Sequence, residues 1–136
     1  MAMAGKSAIV LTTRTPVNLR TARTCYDHLA GEVAVAIYDF LLREAWIVPD
    51  GSALTPVGEA QFARSGITLP AGNRRRVCCA CLDWSERRFH PGGAVGAALL
   101  QHGQRKGWFT LTPGFREVSI TPTGRLALRQ HFHLPL

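Results

Sequence analysis

The sequence predicts an α+β fold built as a tandem duplication of two winged-helix-like halves, each a helix, a β-hairpin wing and a helix. Three observations carry that expectation. His28, Gly31, Val33, Ala36, Arg43 and Trp46 recur 62 positions later, without a gap, as His90, Gly93, Val95, Ala98, Arg105 and Trp108. Beyond the tryptophans, Thr55-Pro56-Val57-Gly58 returns as Thr121-Pro122-Thr123-Gly124 at an offset of 66. Ahead of the histidines, Cys25 and Asp27 return as Cys81 and Asp83 at an offset of 56. Self-similarity at fixed spacing means one supersecondary unit written more than once. The changing offsets place four extra residues in the second wing and six between the second cysteine and its histidine.

The halves divide the chain into an N-terminal arm over 1–18, a first half over 19–66, a linker over 67–80 and a second half over 81–136. In the arm, the apolar run Ala8-Ile9-Val10-Leu11 suits an edge strand or a segment reaching a neighbouring subunit. Thr15-Pro16 reads as a helix start, because threonine caps and proline fits the first helical position. Leu19, Ala22, Cys25, Tyr26 and Leu29 follow at helical spacing, which predicts a helix carrying Cys25 on its inner side. A second, amphipathic helix runs to about Ala45, with Leu29, Val33, Ile37, Phe40 and Leu41 inward and Glu32, Asp39, Arg43 and Glu44 outward.

Pro49-Asp50-Gly51 between Trp46-Ile47-Val48 and Ala53-Leu54 signals a small hairpin, the first wing. Thr55 caps and Pro56 opens the next helix, where Gly58 in the first turn permits close backbone packing. The stretch from Ser65 to Arg76, which runs into the linker, carries Gly66, Pro70, Gly72 and Arg74-Arg75-Arg76, the last most simply a solvated loop. In the second half Pro91 is expected to open the long helix, which ends at Gly107. Trp108 to Ile120 then form a longer wing, and Thr121-Pro122 start the last helix. Trp46, Trp84, Trp108, Gly31 and Gly93 are expected to be structural, with Trp84 buried at the junction of the halves.

Length and composition bound the function. The 136 residues, 46% hydrophobic, suffice for one domain or two halves with a shared core, which argues against disorder. No apolar run reaches the roughly 20 residues of a membrane helix, and Met1 to Lys6 lacks a signal peptide's apolar stretch, so the expectation is a cytoplasmic protein. Four clustered cysteines (Cys25, Cys78, Cys79, Cys81) do not make a disulfide framework; they suit reduced thiols or metal ligation. The net charge of +7 is compatible with a nucleic-acid partner.

Cys25 with His28, and Cys81 with His90, are candidate half-sites for zinc or another thiophilic metal. Were the copies to pack about a pseudo-twofold axis, the four side chains would converge on one site. The competing reading makes both cysteines core residues and bonds both histidines to backbone or to Asp27 and Asp83. Cys78-Cys79-Ala80-Cys81 suits either a thiol cluster or a buried strand edge. Ser85 has no base or oxyanion donor fixed by the sequence, so an enzyme is not expected. Asp83 and Glu86 instead pair with arginines such as Arg20, Arg23 or Arg88. For nucleic acid, Gln101, Gln104, Arg105 and Lys106, with Arg116 on the wing, are the candidate contacts; the first half's acidic helix is a poor reader of DNA.

The strings ARTCYDHLAG and CLDWSERRFHPGGAVGAALL, with LTPVG and ITPTG closing the halves, resemble the C-terminal region that follows the DNA-binding domain in a subgroup of ArsR-type bacterial transcriptional regulators. The resemblance covers residues 19–136. It implies an effector-sensing or dimerisation module, a homodimer, and DNA reached through a separate module. The alternatives are a stand-alone winged-helix DNA-binding protein and a metal-binding structural domain.

Overall fold

Residues 23–25 and 28–30, expected to close a helix, pair as strands instead. Strand β1 (Arg23–Cys25) pairs antiparallel with β2 (His28–Ala30), setting Arg23 opposite Ala30 and Cys25 opposite His28. Over so short a stretch, spacing alone does not separate helix from strand. What decides is a distant partner: Thr24 N donates to Arg116 O at 2.8 Å and Val118 N to Ala22 O at 3.2 Å. The computed structural model describes residues 21–25, 27–69, 78–83, 86–111 and 115–136. The N-terminal arm, Arg74 to Arg76 and the expected burial of Trp84 lie outside these described residues.

Helix α1 (Glu32–Arg43) begins after Gly31, whose φ of 96° needs a residue without Cβ. Leu29 lies in β2, ahead of the helix in which it was expected. Beyond α1, Ile47 bridges Leu54 across the Pro49-Asp50-Gly51 turn, closed by Gly51 N donating to Val48 O at 2.8 Å. Helix α2 (Pro56–Arg64) follows, its first turn capped by the Thr55 hydroxyl accepting from Gly58 N at 3.0 Å.

Strands β3 (Cys79–Leu82) and β4 (Phe89–Gly92) form the next hairpin, with Cys81 opposite His90. Pro91 therefore sits in a strand, opposite Ala80, and does not open the helix. A two-stranded ribbon has only edge strands, where a missing N–H is tolerated. Helix α3 (Gly93–Arg105) starts at Gly93, again at positive φ (66°). Strands β5 (Phe109–Leu111) and β6 (Val118–Ile120) are the second wing, and α4 (Pro122–Phe132) is capped by Thr121 accepting from Gly124 N at 2.9 Å. Among the described residues the fold is α+β, four helices and small antiparallel hairpins, compatible with a winged-helix-like arrangement.

Both wing-to-helix junctions have the same construction. Thr55 Oγ1 donates to Ala45 O and Thr121 Oγ1 to Gly107 O, each at 2.5 Å. A Cβ on Gly58 would lie 1.9 Å from Trp46 O, and one on Gly124 2.1 Å from Trp108 O, so glycine is needed where helix meets wing. Trp46 and Trp108 are both buried there. Phe40 packs edge-on against Trp46 (5.1 Å) and Phe132 (5.7 Å), and Trp46 against Phe62 (6.0 Å), tying α1, α2 and α4 into one core. Such pairs add about 0.5–1.5 kcal/mol each beyond area burial.

The packing is crosswise. Helix α1 lies against β4 and α3 against β2, so each long helix covers the hairpin that precedes the other, and β2 meets β4 between them. Gly96 of α3 makes room for this: a Cβ there would fall 2.9 Å from His28 Cβ and 2.3 Å from Pro91 O.

Candidate metal centre

That crossing brings the two cysteine–histidine pairs together. Cys25, His28, Cys81 and His90 each present one ligand atom, and all four atoms lie within 4.8 Å of one another. Cys25 and His28 do not share the helix that was expected to carry Cys25 through Leu29. Both pairs are cross-strand partners, Cys25 opposite His28 and Cys81 opposite His90, so paired side chains leave the ribbon on one face. Both imidazoles are buried, at 6% and 0% exposure, and both cysteines are half-buried.

Each histidine is oriented by a carboxylate. His90 Nδ1 lies 2.9 Å from Asp83 Oδ2, and His28 Nδ1 lies 3.3 Å from Asp27 Oδ1. A carboxylate only accepts, so in a neutral imidazole this contact places the proton on Nδ1 and leaves the Nε2 lone pairs of the two rings facing each other. Those two nitrogens are 3.1 Å apart. Two facing lone pairs at that distance repel unless a proton or a cation lies between them. Around a tetrahedral zinc with Zn–N of about 2.0–2.1 Å, two imidazole nitrogens stand roughly 3.3 Å apart. Two thiolates, two imidazoles and a carboxylate behind each imidazole are the donor set and outer shell that zinc takes.

Asp83 joins the two hairpins as well. Fully buried, it accepts from Arg23 Nη2 at 2.9 Å, Gly31 N at 2.6 Å and Glu86 N at 3.1 Å, in addition to His90. Arg23 is also fully buried, so the ion pair has no water to screen it. The sequence expectation that Asp83 pairs with Arg23 holds; Arg88 instead contacts Asp39 on α1. Asp27 and Asp83, weighed as partners that would make a metal unnecessary, here orient the candidate ligands. Gly96 went unread as a functional position, although its small size is what admits His28 beneath α3.

The chain is 36% identical over 123 residues to YdfF of Bacillus subtilis (strain 168), an uncharacterized HTH-type transcriptional regulator. That alignment covers 88% of this chain and 54% of YdfF, so the chain spans about half the length of its relative. No protein-family model matches the chain, and no solved structure matches it.

The other candidate residues are dispersed. Gln101, Gln104, Arg105 and Lys106 are exposed at the end of α3, while His102 between them is buried against Trp108, ring centroids 5.0 Å apart. Burial first, then the charges of Arg105, Lys106 and His131, hold the His102 pKa below the usual 6.5. Arg116 is exposed on the wing, where its Nε donates to Thr24 O at 3.0 Å. Cys78 is buried beside β3, outside the cluster. Among the described residues no helix is long and apolar enough to cross a membrane.

Proposed function

We propose that this chain is the metal-binding accessory module, for effector sensing or dimerisation, of a bacterial transcriptional regulator. The observation that carries the reading is the convergence of Cys25, His28, Cys81 and His90, two ligands from each half. Similarity to YdfF supplies the regulatory context. Zinc fits the donor set best, and another thiophilic divalent ion is the alternative. Binding an ion ligated by both halves stabilises their packed arrangement by the free energy of ligation, which couples metal supply to the shape of the module. The matched offsets, the repeated threonine caps and the crosswise packing support descent of the halves from one duplicated unit. In the same reading the protein is cytoplasmic, forms a homodimer and reaches DNA through a separate module.

Elemental analysis of protein purified without added metal or chelator tests the proposal. One equivalent of metal per chain is expected, falling to near zero in His28→Ala and His90→Ala. Substoichiometric metal after loading and dialysis would overturn it. A second reading, direct DNA contact by this chain, draws on the exposed Gln101, Gln104, Arg105 and Lys106, since α3 and α4 contain no carboxylate. An electrophoretic shift that is sequence-specific and persists at physiological salt would favour that reading.

A further inference from the structure

We propose that Cys25 and Cys81 are a modification site as well as ligands: a peroxide oxidises the pair to a disulfide joining the two hairpins, and disulfide and metal exclude each other. This regulation rests on the metal reading above. Three observations favour it. The two sulfurs are within 4.8 Å of each other, although the residues belong to different hairpins. Both cysteines keep partial exposure while both histidines are buried, so among the four ligands the cysteines are the residues open to solvent. The hairpins are also held together independently of sulfur, by Asp83 bonding Arg23 and Gly31 N. The junction therefore keeps the thiols close when the metal leaves.

The chemistry balances with the peroxide as sole oxidant. One thiolate attacks a peroxide oxygen; the O–O bond breaks, sulfur becomes a sulfenic acid, and hydroxide leaves and is protonated by a buffer acid from solution. The second sulfur then attacks the sulfenic sulfur, the S–S bond forms, and a second hydroxide departs and is protonated. Two thiolates have lost two electrons, and the peroxide has become two waters. A metal that held both sulfurs retains only two imidazoles, too few to keep it. Metal ligation keeps both sulfurs as thiolates at neutral pH, the form that reacts. Cys78, buried outside the cluster, is not the resolving thiol.

Zinc-loaded and chelator-treated protein would each be exposed to hydrogen peroxide, with zinc release followed by a chromophoric chelator, thiols counted and cross-linked peptides sequenced by mass spectrometry. The expected result is a Cys25–Cys81 cross-link in both samples, loss of two thiols per chain, release of one zinc per chain from the loaded sample, and reversal by dithiothreitol and zinc. Cys25→Ser and Cys81→Ser should each abolish the cross-link. Retention of zinc while thiols are consumed, a cross-link through Cys78 or Cys79, or separate over-oxidation of Cys25 and Cys81 would overturn the proposal. Failure of the metal reading is seen separately, as a loaded sample without zinc before any peroxide is added. The chelator-treated sample then still decides whether the pair cross-links.

Discussion

Replacing Asp83 with asparagine should damage folding and metal affinity together, by amounts that the contacts of this carboxylate set. Oδ1 accepts from Arg23 and Glu86 N, and Oδ2 from Gly31 N and His90 Nδ1. Asparagine keeps one acceptor oxygen and points two N–H donors at the other pair, so at least two of the four bonds are lost. Whichever way the amide turns, the fully buried Arg23 loses its counter-charge. Removing one member of a buried ion pair costs about 3–5 kcal/mol, a large share of the roughly 5–15 kcal/mol that stabilises a typical domain. Urea unfolding in excess chelator should show that loss with no metal involved. The remaining oxygen should turn to the charged Arg23, leaving an N–H facing His90 Nδ1, so metal affinity should fall about 10–100-fold beyond it as His90 loses the acceptor that fixes its tautomer. Adding Arg23→Met should give a double variant less damaged than the sum of the single changes, since no uncompensated buried charge remains. A loss below about 1 kcal/mol, or strict additivity, would refute the assigned role of Asp83.

Three further outcomes follow from the same contacts. Gly58→Ala and Gly124→Ala should each cost about 1–3 kcal/mol in thermal or urea unfolding, because the added methyl meets the carbonyl of Trp46 or Trp108 and not a side chain that can turn away; an unchanged midpoint would mean the junctions are looser than described. Because the folded state lowers the His102 pKa, the unfolded chain binds more protons below the unperturbed value of 6.5, so stability is complete above pH 6.5 and is lost as pH falls through the folded pKa. Urea midpoints from pH 8 to 5 in chelator should therefore fall more steeply for the native chain than for His102→Asn; parallel slopes would contradict this. Phe62→Ala should cost about 3–5 kcal/mol by opening the buried contact with Trp46, and a small loss would show that the first half adds little to the core.

Much of the fold could be read from residues that repeat with a local physical meaning. The Thr-Pro caps at Thr55 and Thr121 and the Pro-Asp-Gly turn act within a few residues of themselves, and each gave the right element near the right place. The errors fall where distant partners decide. Residues 23–25 are a strand because the second wing, more than 90 residues away, hydrogen-bonds to Thr24. Pro91 lies in β4 because Ala80 pairs with it, and helix-start chemistry at Gly93 then follows two residues later. The four metal candidates could be named because the repeat set two cysteines and two histidines in equivalent positions. Their mutual distances could not, since they depend on α1 crossing to β4 and α3 to β2. The pairing of Asp83 with Arg23 was legible only as charge complementarity, without its burial.

X-ray absorption at the zinc edge tests the central claim most directly, because it counts the donor atoms around the metal without reference to stability or DNA. Zinc-loaded protein should give two sulfurs at about 2.3 Å and two imidazole nitrogens at about 2.0–2.1 Å, one sulfur being lost in Cys25→Ser or Cys81→Ser and one nitrogen in His28→Ala or His90→Ala. A shell of nitrogen and oxygen alone, or one with three or four sulfurs drawn from Cys78 and Cys79, would contradict the account.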